Sequence, residues 1–161
     1  MGGTKRRRMR FGQAYRVTAW WASGRTGLVK SSSTPITIHF SSSPEFGGLE
    51  GRWTPEDLLL SSLASCFTVT FRVLAQREDF KYTDLEVSVE ATLRKIESGY
   101  TLDEFIIRPT LTVQFDHDRE QGMALLRRTQ AVCLVSKALA TTQRFDPEVT
   151  VKQPVAFGVV P

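Results

Sequence analysis

The densest apolar stretch of the chain begins after Thr54-Pro55-Glu56-Asp57. Leu58, Leu59, Leu60, Leu63, Ala64, Phe67, Val69, Phe71, Val73 and Leu74 then follow on almost every side of a predicted helix that ends near Ala75 or Gln76. Thr54 is a good N-cap and Pro55 suits the first helical position, where its missing N–H costs nothing. Glu56 and Asp57 place negative charge in the first turn, where the helix dipole favours it. A helix apolar all round belongs inside a structure. Ser61, Ser62, Ser65 and Thr68 interrupt the apolar run, so it is not expected to span a membrane.

The flanking segments alternate with the period of two that marks strands. Residues 13–22 do so, and Ser23-Gly24-Arg25-Thr26-Gly27 suits a hairpin turn. Further strand segments are expected over Leu28–Lys30 and Thr34–Phe40, before a glycine-rich loop over Pro44–Gly51. Asp84 to Lys95 alternates cleanly, Glu97-Ser98-Gly99 turns, and Thr101 to Phe115 returns, with Pro109 suggesting a bulge or an edge position. Asp116 and Asp118 offer N-caps for a second helix from Arg119 to about Val132. A shorter helical piece follows over Ser136–Thr141, and residues 148–159 close the chain as a strand. This order predicts an α+β fold, with antiparallel sheets wrapping a long central helix.

Composition changes the picture in two respects. A length of 161 residues with 41% apolar and 24% charged residues describes one globular domain, expected over 12–161. The net charge of +4 belongs to the N-terminus. Lys5, Arg6, Arg7, Arg8 and Arg10 account for five of the 21 basic residues, and the remaining 16 face 17 acids. Residues 1–11 are therefore expected to be a disordered basic tail. The near-neutral body argues against nucleic-acid binding. No apolar segment of signal-peptide type follows the tail, so a cytoplasmic location is expected and a structural disulfide is not.

Two cysteines and two histidines bound the chemistry. Neither pair has zinc-ligand spacing, so no metal site is expected. Residue types alone leave Cys66 and Cys133 open between inert core thiols and a redox pair. A reactive thiolate needs a nearby cation, for which Arg25 and Arg52 both qualify. Glu56 and Cys66 are ten residues apart on one helix, hence roughly 15 Å apart along its axis. If both serve one site, Glu56 must come from a second copy of the chain. Ser61, Ser62, Ala64 and Ser65 would let a second helix approach, so a symmetric homodimer is expected.

Three motifs together resemble the OsmC/Ohr family of thiol-dependent peroxidases. Thr54-Pro55-Glu56-Asp57-Leu58-Leu59, with Cys66-Phe67 downstream, resembles the family's N-P-E-x-L helix and its cysteine. Cys133-Leu134-Val135-Ser136-Lys137-Ala138-Leu139 resembles C-P-V-S-K/R-A-L, closer to the OsmC branch, with leucine where proline is usual. Ser23-Gly24-Arg25-Thr26-Gly27 resembles the turn carrying the family's arginine. The resemblance implies an OsmC-like fold in an intertwined homodimer that reduces organic hydroperoxides to alcohols. It implies Cys66 as peroxidatic thiolate and Cys133 as resolving cysteine, closing a Cys66–Cys133 disulfide. Arg25 would support the thiolate, and Glu56 would pair with Arg25, in trans. Phe46, Trp53 and Phe67 are candidates for an apolar substrate lining. No bound cofactor is implied; an external dithiol, lipoyl-type or a small thiol, would reset the pair, and a lipoylated protein is a candidate partner. The alternative is a non-catalytic module of the same fold that binds an apolar small molecule at the dimer interface.

Overall fold

The computed structural model describes residues 12–152; the expected basic tail and the end of the last expected strand lie outside them. The elements run β1 (Val17–Ser23), β2 (Thr26–Ser31), β3 (Thr37–Phe40), α1 (Pro55–Arg77), β4 (Asp84–Ile96), β5 (Gly99–Val113), α2 (Arg119–Val132), α3 (Leu134–Ala138), β6 (Gln143–Phe145) and β7 (Glu148–Val151). The fold is α+β, as the periodicity predicts. Between Asp57 and Leu58 the chain divides into two compact units.

The first unit is a three-stranded antiparallel meander in the order β1-β2-β3. Ser23 pairs with Thr26, so Gly24 and Arg25 are the two turn residues. Gly24 has a φ of 53°, which a glycine adopts without a Cβ clash and which suits the twist of a two-residue hairpin. Ser41, fully buried, stitches the following loop to this turn. Its hydroxyl donates to the Arg25 carbonyl at 2.7 Å and accepts the Leu49 N–H at 3.0 Å.

The start of α1 follows its sequence closely. Thr54 Oγ1 accepts the Asp57 N–H at 3.1 Å, and Asp57 Oδ2 accepts the Thr54 N–H at 2.9 Å. This reciprocal pair is a capping box with aspartate at the third helical position. Asp116 and Asp118 do not cap α2 in this way. Asp118 is helical itself and makes no side-chain cap, while Asp116 pairs with Arg119 at 2.8 Å.

In the second unit β4 and β5 form a long antiparallel hairpin, and β6 and β7 add parallel to the other side of β5. Pro109 is neither at an edge nor in a bulge. It is opposite Val87 and falls between the β5 residues paired with β6 (Phe105–Ile107) and those paired with β7 (Thr110–Val113). A missing N–H is tolerated in that gap. The bulge sits instead at Ala91/Leu93.

Leu63, Phe67, Phe71 and Ala75 of α1 are fully buried at a spacing of four, with Ile107, Leu111 and Val113 of β5 and Leu125 and Leu126 of α2 in the same core. Phe71 meets Tyr82 edge-on, with centroids 5.2 Å apart. Gly122 allows α2 its close approach: a Cβ there would lie 2.8 Å from Leu111 Cδ2. The expectation that α1 is buried all round is not met within one chain. Leu58, Leu59, Leu60 and Leu74 are half-buried, and Val69 and Val73 are exposed. By length and composition alone α1 could cross a membrane, with a mean hydropathy of 1.7. Its buried stripe belongs to the core just described.

Truncating the core should cost more than uncapping the helix. Phe71→Ala is expected to lose about 3–5 kcal/mol, and Thr54→Ala about 1 kcal/mol, both measured by urea unfolding.

Candidate active site

Cys66 and Cys133 meet although they are far apart in sequence. Cys66 sits half-buried on α1, one residue before Phe67 of the core stripe, and Cys133 is fully buried where α2 ends. Cys133 has φ −60° and ψ 119°, which leaves the helical region, ends α2 and places the residue at the N-cap of α3. Its N–H donates to the Thr129 carbonyl at 2.9 Å, and its carbonyl accepts the Lys137 N–H at 3.0 Å. The main chain of Cys133 is thus tied to both helices. The α3 helix begins two residues before the expected piece at Ser136, because Cys133 itself supplies the break, and it ends at Ala138, after which Leu139 returns to ψ 127°.

Both thiols are free, and each acts on the ionisation of the other. Their ionisation is pushed in opposite directions. Burial alone would raise the Cys66 pKa. The backbone N–H of Val135, the Cys133 thiol, the backbone N–H of Leu134 and the Thr70 hydroxyl together outweigh it, so Cys66 ionises below an ordinary thiol. The single Thr70 hydroxyl proton is also donated to the Cys66 carbonyl at 2.7 Å, so it reaches the sulfur only by exchanging that bond. For Cys133, burial dominates and raises the pKa; the Ser136 N–H acts against it, and the neighbouring Cys66 adds to the rise. The pair therefore favours a Cys66 thiolate facing a Cys133 thiol.

The main-chain donors at Leu134 and Val135 were not foreseen from sequence, where attention falls on cationic side chains. Leucine at position 134 matters here, since a proline would have no N–H to give.

The other expected residues are placed as follows. Arg25 in the β1–β2 turn donates to the Gly47 carbonyl at 3.0 Å. Glu56 lies in the first turn of α1, and its Oε2 is buried without a hydrogen-bond partner among the described residues. No ion pair joins Arg25 and Glu56 in one chain among the described residues. The uninterrupted α1 keeps Glu56 and Cys66 about 15 Å apart along its axis. Phe46 and Trp53 are exposed. Phe67 is not: it is fully buried, with its ring 5.9 Å from that of Phe145, and has no surface left for a ligand. Among the described residues no group of three or more His, Cys, Asp or Glu is arranged to hold a metal.

Comparison with known proteins gives the family and agrees with the fold. A family model described as "OsmC-like protein" matches residues 48–148, and the chain belongs to that family. A solved organic hydroperoxide resistance protein OsmC from Legionella pneumophila is 23% identical, with TM-score 0.69, over 86% of this chain and 98% of that one. OhrB of Bacillus subtilis, also an organic hydroperoxide resistance protein, gives 22% identity and TM-score 0.62 over 86% and 98%. An OsmC-like protein of unknown function from Vibrio cholerae shares the fold at 14% identity and TM-score 0.73, over 84% and 99%. The uncharacterized protein YmaD of Bacillus subtilis is 21% identical over 84% of this chain and 93% of its own length.

The opposed ionisation can be read directly. Iodoacetamide at neutral pH should label Cys66 well before Cys133, each site followed by peptide mass analysis. Leu134→Pro keeps a residue suited to the first position of α3 but deletes the N–H. It should move the Cys66 titration to higher pH.

Proposed function

We propose that the chain is a thiol-dependent peroxidase that reduces organic hydroperoxides to alcohols. What carries this reading is the pair of free, interacting cysteines, Cys66 favoured as thiolate and Cys133 as thiol. The Cys66 thiolate attacks the terminal peroxide oxygen, the O–O bond breaks, and the alkoxide leaves as alcohol after taking a proton. Cys66 is now a sulfenic acid, and the negative charge that held the Cys133 proton is gone. The Cys133 sulfur attacks Cys66 Sγ; hydroxide leaves and departs as water with the Cys133 proton. The Cys66–Cys133 disulfide is then reduced by an external dithiol of lipoyl or small-thiol type, which becomes the oxidised partner. A lipoylated protein would supply that dithiol in tethered form.

The reading includes a homodimer. All five hydroxyls of α1 from Ser61 to Thr70 donate back to carbonyls of their own helix, Ser61 to Leu58 at 3.0 Å and Thr68 to Ala64 at 2.9 Å among them. The exposed side of α1 therefore offers Val69 and Val73 beside hydroxyls already bonded to their own helix, with Arg72 and Gln76 as the polar side chains among them. That surface suits a second copy of the helix. A buried carboxylate oxygen with no donor, as at Glu56, is costly. Arg25 brought by the second copy would satisfy it and orient the guanidinium toward that copy's own thiolate site. Phe46 and Trp53 would give the apolar lining that favours organic peroxides.

Cys66→Ser should abolish turnover of cumene or tert-butyl hydroperoxide with dithiothreitol or dihydrolipoamide; unchanged turnover would remove the proposal. Cys133→Ser should leave the first oxidation intact and let dimedone trap the sulfenic acid on Cys66. Light scattering at micromolar concentration should give twice the chain mass, and a monomer would refute the assembly with Glu56 in trans.

A further inference from the structure

A cluster of polar side chains behind α3, Ser136 buried and Gln130 and Gln143 half-buried, takes no part in the chemistry described so far. Gln143, the first residue of β6, reaches across to α3. Its Nε2 donates to the Ser136 carbonyl at 2.8 Å and to the Leu139 carbonyl at 3.5 Å, near the C-terminal end of that helix. Its Oε1 accepts the hydroxyl proton of Ser136, which is buried. Gln130 on α2 adds a second layer, with Nε2 donating to Ser136 Oγ at 3.2 Å and to Gln143 Oε1 at 3.3 Å. The α3 helix has five residues, too few for its own hydrogen bonds to hold it. Its position is set by what grips it. At one end that is the Cys133 main chain; near the other it is Gln143.

We propose that Gln143 is a positioning residue for Cys66: by clamping α3 to β6 it holds the Leu134 and Val135 N–H groups against the Cys66 sulfur. The inference rests on Cys66 as the reactive thiolate, but its readout is thiol ionisation and needs no peroxide. A hydrogen bond to a thiolate weakens steeply once the donor is misaligned. The clamp therefore acts through geometry, and Gln143 touches neither substrate nor sulfur in this role. The titratable or charged groups on the surrounding elements are Cys133 itself and Lys137 on α3, Glu56, Asp57, Arg72 and Arg77 on α1, and Arg119, Glu120, Arg127 and Arg128 on α2. On β6 there is Arg144, which pairs with Glu104 at 4.0 Å, and Arg128 is taken up by Glu78. Neither Gln143 nor Ser136 is ionisable, so replacing them leaves all of these charges unchanged.

The test measures the pH dependence of Cys66 alkylation, site by site, in three variants of the full chain. Gln143→Met keeps the length of the side chain and removes all its hydrogen bonds. The neutral-pH alkylation rate of Cys66 should fall about three- to tenfold, with the profile displaced to higher pH. Ser136→Ala deletes only the hydroxyl bond and should shift it less, in the same direction. Gln143→Met combined with Leu134→Pro should fall short of the sum of the two separate shifts, because both act through the same donors. A folded Gln143→Met protein with a lowered melting temperature but an unmoved Cys66 profile would show a merely structural role and overturn the proposal. If Gln143→Met does not fold, an unmoved profile in Ser136→Ala overturns it equally. Loss of peroxide turnover without a shift in titration would count against Gln143 as a positioning residue. A shift in titration with no turnover in the parent chain would count against the peroxidase and leave the clamp standing.

Discussion

One helix carries both the core and Cys66, and this constraint shapes the rest of the second unit. Leu63, Phe67, Phe71 and Ala75 lock one face of α1 into the core. Cys66 is then held one position off that face, half-buried, with no rotational freedom of the helix to adjust it. Everything that tunes its chemistry must be brought to it. The chain does so by breaking α2 at Cys133 and restarting as α3, so that one peptide turn delivers a thiol and two N–H groups together. Burial that would otherwise suppress ionisation at Cys66 is outweighed by two main-chain N–H groups, which cost no side-chain entropy, together with the Cys133 thiol and the Thr70 hydroxyl.

The same constraint leaves α1 incompletely covered in a single chain. A helix with Val69 and Val73 exposed and its hydroxyls bonded to its own carbonyls is unfinished as a surface. The buried, unpartnered Glu56 oxygen marks its N-terminal end in the same way. On the proposed reading a second copy completes both, and assembly becomes a condition of catalysis.

Much of this was legible in the sequence because side-chain types carried it. The Thr54 cap, the apolar stripe of α1, the hairpin turn at Gly24-Arg25 and the long β4–β5 pair all follow from residue identity and period. The family motifs singled out both cysteines. What escaped was set by main-chain geometry. Pro109 looks like an edge or bulge residue, but two short parallel strands leave a gap at its position. Phe67 looks like a lining residue because it follows the cysteine, yet a helical step of 100° turns it into the core. The Leu134 and Val135 donors are invisible in a string of side chains, and Gln143 lies too far along the chain to suggest a role at α3.

The central claim is that Cys66 and Cys133 form one redox couple. Intact-mass measurement after one equivalent of tert-butyl hydroperoxide, without added thiol, tests it most directly. The account predicts a loss of about 2 Da per chain, with the Cys66 and Cys133 peptides recovered as one linked species. An unchanged mass, with both thiols still free to alkylate, would contradict it and favour a binding module of the same fold.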